Sequence, residues 1–392
     1  MKRLIPFLLL TCVAVACKED GPTVPAMDPQ FAKPNCDVDP NHPACKDDGG
    51  GGGEEGYITT DLETGHGKVD PTWAYDVSDD LGNGTVTVAG GTRVGNQYLQ
   101  AMAWTVTGTD VVDGPVALTL DDPAYQDVFA FGISDNGSYI VGRARGNTDS
   151  DYTDWELVRP VRWDGGTGSL LDPVDGYTTA NAVDVNNSGR TAGYSMREGE
   201  EPPRVATLWD ATGAAQPLGW PHGGESTASG INNQGHVVGG SWDPVEGQWH
   251  AILWRSDGYC DLGVGSFAHD ITDVADGTVL VAGDSGSLVD YHPAVWQVAP
   301  ASCSVSGFWT MGSGLQSAGD VRRVGTDGWE AVGTYESGGE QLPLVWRFDG
   351  TGITEIQLAM DGRAHGINND GQIAGDATVK RLKHAVLWTL NQ

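Results

Sequence analysis

The sequence predicts an all-β protein, a seven-bladed β-propeller with four strands in each blade. Three features support this prediction: a cassette of four short extended segments that recurs seven times, turns rich in Asn, Asp and Gly, and almost no stretch with helical periodicity. Gly provides 57 of the 392 residues. That number suits a chain of many short strands joined by tight turns.

The cassette is clearest between residues 228 and 263. It predicts four strands, at 228–231, 236–242, 248–254 and 259–263. Clusters of Asn, Asp and Gly separate them, as expected for hairpin turns. Successive copies begin 40 to 56 residues apart, which is the size of one four-stranded propeller blade.

Each copy carries three landmarks: an Ala in the first segment, a Gly in the second and a Trp in the third. The Ala residues are Ala74, Ala130, Ala182, Ala228, Ala268, Ala318 and Ala364. The Gly residues are Gly90, Gly142, Gly193, Gly239, Gly283, Gly333 and Gly375. The Trp residues are Trp104, Trp163, Trp209, Trp254, Trp296, Trp346 and Trp388. We interpret the Trp set as packing anchors between blades.

The two ends of the chain predict a closed ring. The seventh copy stops at Gln392, four residues after Trp388, and so lacks a fourth strand. Residues 57–65, before the first copy, resemble the fourth strand at 260–263. An N-terminal strand that completes the last blade would leave no free sheet edge. The alternative, an open β-solenoid, would need capping repeats at its ends.

The segments GINNQGHVVG (230–239), HAILW (250–254) and DLG (261–263) resemble the HAF repeat of probable extracellular proteins. The resemblance covers about residues 57–392 and is weaker for the copies at Ala74, Ala268 and Ala318. It implies an extracytoplasmic, propeller-like protein. It implies no catalytic residue.

Residues 1–17 resemble a bacterial lipoprotein signal peptide, with a basic start, an apolar run and small residues before Cys17. The segment is too short for a stable transmembrane helix. In this interpretation Cys17 is lipidated and anchors the protein to the bacterial envelope, at the outer membrane or cell surface. The alternative is an ordinary signal peptide that is cleaved nearby.

Residues 18–56 predict a flexible tether, because Pro, Asp and Gly dominate and aliphatic clusters are almost absent. Export into an oxidising compartment favours a disulfide between Cys36 and Cys45 within this tether. Whether Cys260 and Cys303 form a second disulfide depends on how close neighbouring blades bring them. The domain after the tether, residues 57–392, is the propeller.

The formal net charge of −31 argues against a nucleic-acid partner, which requires a basic surface. The sequence contains no Gly-x-Ser-x-Gly elbow, no His-Glu-x-x-His and no phosphate-binding loop. We therefore predict a monomeric, non-catalytic binding or scaffold module for a glycan or an envelope protein, with no required cofactor. The alternative is a propeller hydrolase or lyase that acts on polysaccharide in the axial channel.

Candidate binding residues fall into two groups. Aromatic residues near loops can stack on sugars or anchor a protein, and the first strands can place polar groups at the channel. The candidates are Trp155, Trp220, Trp242, Trp249, Tyr75, His269 and His365. Weak calcium binding is expected, if anywhere, at Asp149, Asp151 and Asp154 in the acidic insert of the second copy. An enzyme would instead cluster Asp or Glu with His at the channel mouth.

Overall fold

The computed structural model describes residues 56–63, 71–94, 98–146, 158–197, 202–287, 290–312, 316–337, 340–359, 361–379 and 382–391. Over these ranges the regular elements are β-strands. No helix there is long and apolar enough to span a bilayer. The predicted all-β class is confirmed.

The strands form seven sheets, one for each blade, and neighbouring strands are antiparallel except for one parallel pair in blade 2. Blade 7 takes its outer strand from β1 (Tyr57–Asp61). Blade 1 contains β2 (Thr72–Val77), β3 (Thr85–Val94), β4 (Tyr98–Thr107) and β5 (Asp110–Ala117). A two-residue strand, β6 (Thr119–Leu120), leads to blade 2, which contains β7 (Tyr125–Ile133), β8 (Tyr139–Gly146), β9 (Val158–Asp164) and β10 (Thr167–Leu170). Blade 3 contains β11 (Thr179–Val185), β12 (Thr191–Met196), β13 (Arg204–Trp209) and β14 (Ala215–Gly219).

The remaining blades repeat this order. Blade 4 contains β15 (Ser226–Ile231), β16 (Val237–Asp243), β17 (Gln248–Arg255) and β18 (Gly258–Val264). Blade 5 contains β19 (Ser266–Asp273), β20 (Val279–Ser287), β21 (Asp290–Ala299) and β22 (Ser304–Thr310). Blade 6 contains β23 (Gln316–Val324), β24 (Gly328–Ser337), β25 (Glu340–Phe348) and β26 (Ile353–Gln357). Blade 7 contains β27 (Gly362–Ile367), β28 (Ile373–Val379) and β29 (Leu382–Leu390), in addition to β1.

The ring closes as predicted. The first strand of every blade contacts the first strand of the next, and the first strand of blade 7 contacts that of blade 1. β1 pairs antiparallel with β29, from Tyr57 opposite Leu390 to Asp61 opposite Val386. Leu62 follows fully buried, and its N–H donates to the carbonyl oxygen of Ala385 at 3.1 Å. The structure is therefore a seven-bladed β-propeller, and the solenoid alternative is wrong.

One bulge, repeated in every blade, explains the Ala and Gly landmarks. The landmark Ala of each first strand pairs with the landmark Gly of the second strand, and the register then shifts by one residue. The bulge turns the carbonyl of the residue before Ala toward the Gly. A Cβ on Gly239 would lie 2.0 Å from the carbonyl oxygen of Thr227. The recurring Gly is thus a steric requirement of the bulge.

The landmark Trp residues are 0 to 3% exposed and lie between blades. Trp104 of blade 1 packs with Ala374 and Leu387 of blade 7. Trp296 of blade 5 packs with Val238 and Leu253 of blade 4. The hydrophobic core is therefore a set of layers between neighbouring blades, as the interpretation of these residues as anchors requires.

Blade 2 departs from the four-stranded pattern. β6 pairs parallel with β10, so this sheet has five strands. The indole N–H of Trp163 donates to the carbonyl oxygen of Thr119 at 2.9 Å. This bond satisfies a buried polar group and fixes the incoming chain on the outer edge of the blade.

Cys260 and Cys303 form a disulfide between blades 4 and 5, with a Cα–Cα distance of 5.2 Å. Cys260 lies in the outer strand β18, and Cys303 lies in the turn between β21 and β22 with φ of 55°. The turn, rather than a strand, brings the second sulfur to the neighbouring blade. The proposed partners Cys36 and Cys45 lie outside the described residues.

Candidate binding face and axial channel

The seven bulges build a ring of small and acidic residues around the axis. Two positions after each landmark Ala the chain carries, in blade order, Asp76, Gly132, Asp184, Gly230, Asp270, Asp320 and Gly366. These residues line one axial cavity of 520 Å³, except Gly230. Asp and Gly alternate around most of the ring because an Asp of one blade occupies space beside the Gly of a neighbour. A Cβ on Gly366 would lie 2.7 Å from Asp76 Oδ1.

Three of the Asp side chains tie one blade to the next. Asp76 Oδ1 accepts the N–H of Val77, and Asp76 Oδ2 accepts the N–H of Ile133 from blade 2, both at 2.8 Å. Asp184 accepts in the same way from Val185 and from Ile231 of blade 4. Asp320 repeats the arrangement toward blade 7. Each of these carboxyl groups satisfies two backbone N–H groups close to the axis.

Asp and Gly cannot alternate throughout a ring with an odd number of blades, so two blades with the same residue must be neighbours. These are blades 5 and 6, which both carry Asp. Asp270 is followed around the ring by Asp320 rather than by a Gly, so acidic side chains lie on two neighbouring blades. Apart from burial, the negative charge of Asp270 raises the pKa of Asp320.

The channel raises the pKa values of its acids. Burial raises the pKa of Asp76 to about 8, although the backbone hydrogen bonds from Ile133 and Val77 lower it. Burial, followed by the negative charges of Asp270 and Asp76, raises the pKa of Asp184 well above its usual range. Burial and the neighbouring Asp270 do the same to Asp320. Burial therefore favours the protonated form of Asp76, Asp184 and Asp320.

The bulged residues form the next layer of the cavity, and they include three predicted binding residues. Tyr75 and His365 stack with ring centroids 4.6 Å apart. His269 is held separately, with its Nε2 2.8 Å from Asp284 Oδ2. The structure thus brings Tyr75 of blade 1 and His365 of blade 7 into contact. His269 instead contacts Asp284 of its own blade.

A second feature is a row of aromatic rings that runs from the β16–β17 hairpin of blade 4 to the first strand of blade 5. Ring centroids are 5.8 Å apart for Trp242 and Trp249, 5.4 Å for Trp249 and Phe267, and 5.2 Å for Phe267 and His269. Gly240 leaves room for this row, because its Cβ would lie 2.5 Å from the ring of Phe267.

Beside the row lies a cleft of 230 Å³, which we call the blade 4–5 cleft. It is lined by Gln248, Trp249, Gly265, Ser266, Phe267, Asp284 and Tyr291. Three aromatic side chains form its apolar walls, and an amide, a carboxylate and a phenol provide polar groups. Burial, reinforced by the negative charges of Asp284 and Glu336, raises the pKa of Tyr291. Its hydroxyl therefore stays protonated and can donate a hydrogen bond.

The other predicted residues do not join this cleft. Trp220 is 39% exposed at the end of blade 3, and its indole N–H donates to the carbonyl oxygen of Arg204 at 3.0 Å. Trp155 and the calcium candidates Asp149, Asp151 and Asp154 lie outside the described residues, as does Cys17.

Sequence reasoning missed Phe267, Tyr291, Gln248 and Asp284. A usable signal existed for Phe267, because an aromatic residue directly before the landmark Ala occurs in three copies, at Trp73, Phe129 and Phe267. The other three residues could not be assigned, because the cleft forms between two blades.

No family model matches the chain, and no curated protein matches it. The structure is similar to that of YCF48 bound to D1 peptide, with 12% identity, coverage of 86% of this chain and 96% of that one, and a TM-score of 0.49. It is also similar to the β-propeller domain of the Trilobed protease from Pyrococcus furiosus, with 11% identity, coverage of 81% and 96%, and a TM-score of 0.46. A Trypanosoma rangeli sialidase in complex with sialic acid gives 10% identity, coverage of 85% and 57%, and a TM-score of 0.39. This likeness concerns the fold alone.

Proposed function

We propose that the protein is a non-catalytic carbohydrate-binding module and that the blade 4–5 cleft is its binding site. The observation that carries the proposal is the combination of Trp249, Phe267 and Tyr291 with Gln248 and Asp284 in one cleft. A sugar ring has an apolar face that packs on an aromatic ring and a rim of hydroxyl groups that need hydrogen-bond partners. The cleft offers both kinds of contact.

The size of the cleft favours one ring-sized group. Sites for drug-sized ligands occupy about 300–1,000 Å³, whereas this cleft has 230 Å³. The row of Trp242 and Trp249 continues from the cleft along the hairpin of blade 4. A single sugar unit would occupy the cleft, and further units of an oligosaccharide would lie against the row.

The negative charge of the cleft and of the whole chain disfavours anionic sugars as ligands. Asp284 lines the cleft, and the chain has a formal net charge of −31. Like charges repel, so anionic sugars such as uronic or sialic acids would bind less well than neutral or amino sugars. We therefore propose a neutral or amino-sugar oligosaccharide as the ligand.

Trp249→Ala is expected to lower the affinity for the best-bound oligosaccharide by at least about tenfold, because truncation of a central aromatic anchor costs about 2 kcal/mol or more. Phe267→Ala should act in the same direction. The measurement is glycan-array screening of the full chain, followed by calorimetric titration of the best ligand.

Phe308→Ala is the matched control. Phe308 is 50% exposed on the outer strand of blade 5, packs on Trp296 and does not line the cleft. Its replacement should leave sugar affinity unchanged. Equal affinity of wild type and Trp249→Ala would refute the site, and the absence of any bound glycan would favour a protein partner.

A second candidate function is acid–base chemistry on polysaccharide in the axial channel, which the carboxyl pair of Asp270 and Asp320 favours. Two neighbouring carboxyl groups, one of which has a raised pKa, can supply an acid and a base. Turnover of a polysaccharide that is abolished by Asp270→Asn would support this function. Most of the axial Asp residues instead favour a structural role, because the carboxyl groups of Asp76, Asp184 and Asp320 each accept two backbone N–H groups.

A further inference from the structure

A cluster of two His and one Asp lies in blade 4, away from the axial ring. His222 comes from the connection between β14 and β15, Asp243 ends β16, and His250 lies near the start of β17. One potential ligand atom from each residue lies within 4.8 Å of the others. The two imidazole rings stack with centroids 3.8 Å apart.

The hydrogen bonding of His250 prepares it to bind a metal ion. His250 is 6% exposed, and its Nδ1 lies 3.0 Å from Asp261 Oδ2. A proton on Nδ1 that is donated to this carboxylate leaves the lone pair on Nε2 free. Nε2 is buried and makes no hydrogen bond of good geometry, and its nearest acidic oxygen is Glu246 Oε2 at 3.4 Å. An imidazole that donates one N–H to a carboxylate and keeps the other nitrogen free is the usual arrangement of a metal-binding His.

Asp243 is fixed in the same way. Its Oδ1 accepts the N–H of Val245 at 2.6 Å and that of Glu246 at 3.1 Å. These bonds orient the carboxylate and leave Oδ2 directed toward His222 Nδ1, 3.7 Å away. Two further carboxylates approach the imidazoles: Asp261 Oδ2 lies 3.1 Å from His222 Nε2, and Glu246 Oε2 lies 3.4 Å from His250 Nε2. Three carboxylates, those of Asp243, Asp261 and Glu246, therefore lie close to the two imidazole rings.

We propose that His222, Asp243 and His250 form a binding site for a divalent transition-metal ion, with zinc as the best-fitting ion. Two imidazoles and a carboxylate are a set that zinc accepts, whereas calcium prefers oxygen ligands alone. Zinc ligands in a tetrahedral site lie roughly 3.3 Å apart, so the three side chains would close slightly around the ion. The inference does not depend on sugar binding.

Related positions in other blades show that the cluster is more than the repeat pattern. Blade 7 repeats the pair formed by His250 and Asp261, since His384 Nδ1 lies 3.1 Å from Asp61. In blade 5 the corresponding His292 lies 3.6 Å from Asp290 Oδ1. Among the described residues, the group of three that could hold a metal ion is the one in blade 4. His222 and Asp243 are what blade 4 adds to the repeat.

The location suggests what the ion would do. Asp243 and His250 flank the hairpin that also carries Trp242 and Trp249. An ion held by both sides of the hairpin and by His222 would hold these Trp residues in place relative to blade 3. The role assigned to the ion is therefore structural.

The test is a zinc titration of the full chain after treatment with a chelator, with a chromophoric chelator as competitor. We expect wild type to bind one more zinc ion tightly than His222→Ala or His250→Ala, and His292→Ala to match wild type. Residual affinity at the mutated site should fall at least about tenfold, as loss of one ligand or of its supporting partner generally costs about 10–100-fold. Calcium in excess should not displace the zinc.

His222 lies in a connection outside the strands, so His222→Ala leaves the sheet hydrogen bonds in place. Visible absorption of the cobalt-loaded protein gives a second measurement, because its intensity reports the coordination geometry. Equal stoichiometry and affinity in wild type, His222→Ala and His250→Ala would overturn the proposal. A cobalt spectrum that is the same in wild type and His222→Ala would overturn it as well.

Discussion

Gly239→Ala is expected to destabilise the protein by about 3 kcal/mol or more and to lower its melting temperature by about 4 °C or more. The added Cβ would lie 2.0 Å from the carbonyl oxygen of Thr227 and 2.9 Å from Cα of Ala228. These are backbone atoms of the neighbouring strand, so no side-chain rotation relieves the clash. The bulge in blade 4 would have to open. Thermal or urea unfolding of the full chain measures the loss.

Gly352→Ala is the control for this prediction. Gly352 is exposed in a turn of blade 6, and a Cβ there would meet no atom within 4 Å. The substitution should change stability by less than about 0.5 kcal/mol. If Gly239→Ala unfolds with the same midpoint as Gly352→Ala, the bulge does not have the geometry described above.

Acidification from about pH 8.5 to about pH 5 is expected to stabilise the protein, and Asp76→Asn should remove part of this effect. Burial raises the pKa of Asp76 from 3.8 to about 8. The folded state therefore binds a proton that the unfolded state releases, and the resulting stability is present at low pH and lost as the pH rises through about 8. The contribution of Asp76 over this window is at most about 4 kcal/mol. Asp184 and Asp320 act in the same direction.

Denaturant unfolding at a series of pH values tests this prediction. Asp76→Asn should show a smaller change in unfolding free energy between the two ends of the range. Its absolute stability at low pH should be lower than that of wild type, because the Asn amide group cannot accept the second backbone hydrogen bond. Asp110→Asn removes one exposed charge and should keep the wild-type pH dependence. A wild-type protein that gains stability with rising pH would contradict the pKa assignment.

The fold could be predicted because the residues that determine the geometry of a blade recur in every copy of the repeat. Ala228, Gly239 and Trp254 mark a bulge, the residue facing it and an anchor between blades, so seven copies sufficed to count the blades. β1 could be placed because blade 7 lacked a strand and residues 57–65 resembled one. The parallel strand β6 could not be predicted, since Thr119 and Leu120 form only a two-residue strand that is not part of the repeated cassette.

The candidate sites were less accessible to sequence reasoning. Trp249 was predicted to bind ligand because it flanks a loop, and the structure places it in a cleft whose other aromatic residues, Phe267 and Tyr291, belong to the next blade. His250 recurs in the repeat, since His292 and His384 also lie four residues before a landmark Trp. The sequence therefore does not distinguish it from those residues, and only the structure shows that His222 stacks against it. The pairing of Asp270 with Asp320 depends on ring closure with an odd number of blades.

The location of bound sugar tests the central claim most directly. Hydrogen–deuterium exchange of the full chain, with and without the best-bound oligosaccharide, would map it. Binding in the blade 4–5 cleft predicts slower exchange in segments 248–250, 264–267 and 290–292, with little change in segments 131–133 and 365–367 beside the channel. Protection confined to the channel segments would contradict the account and favour the axial carboxyl groups as the functional site.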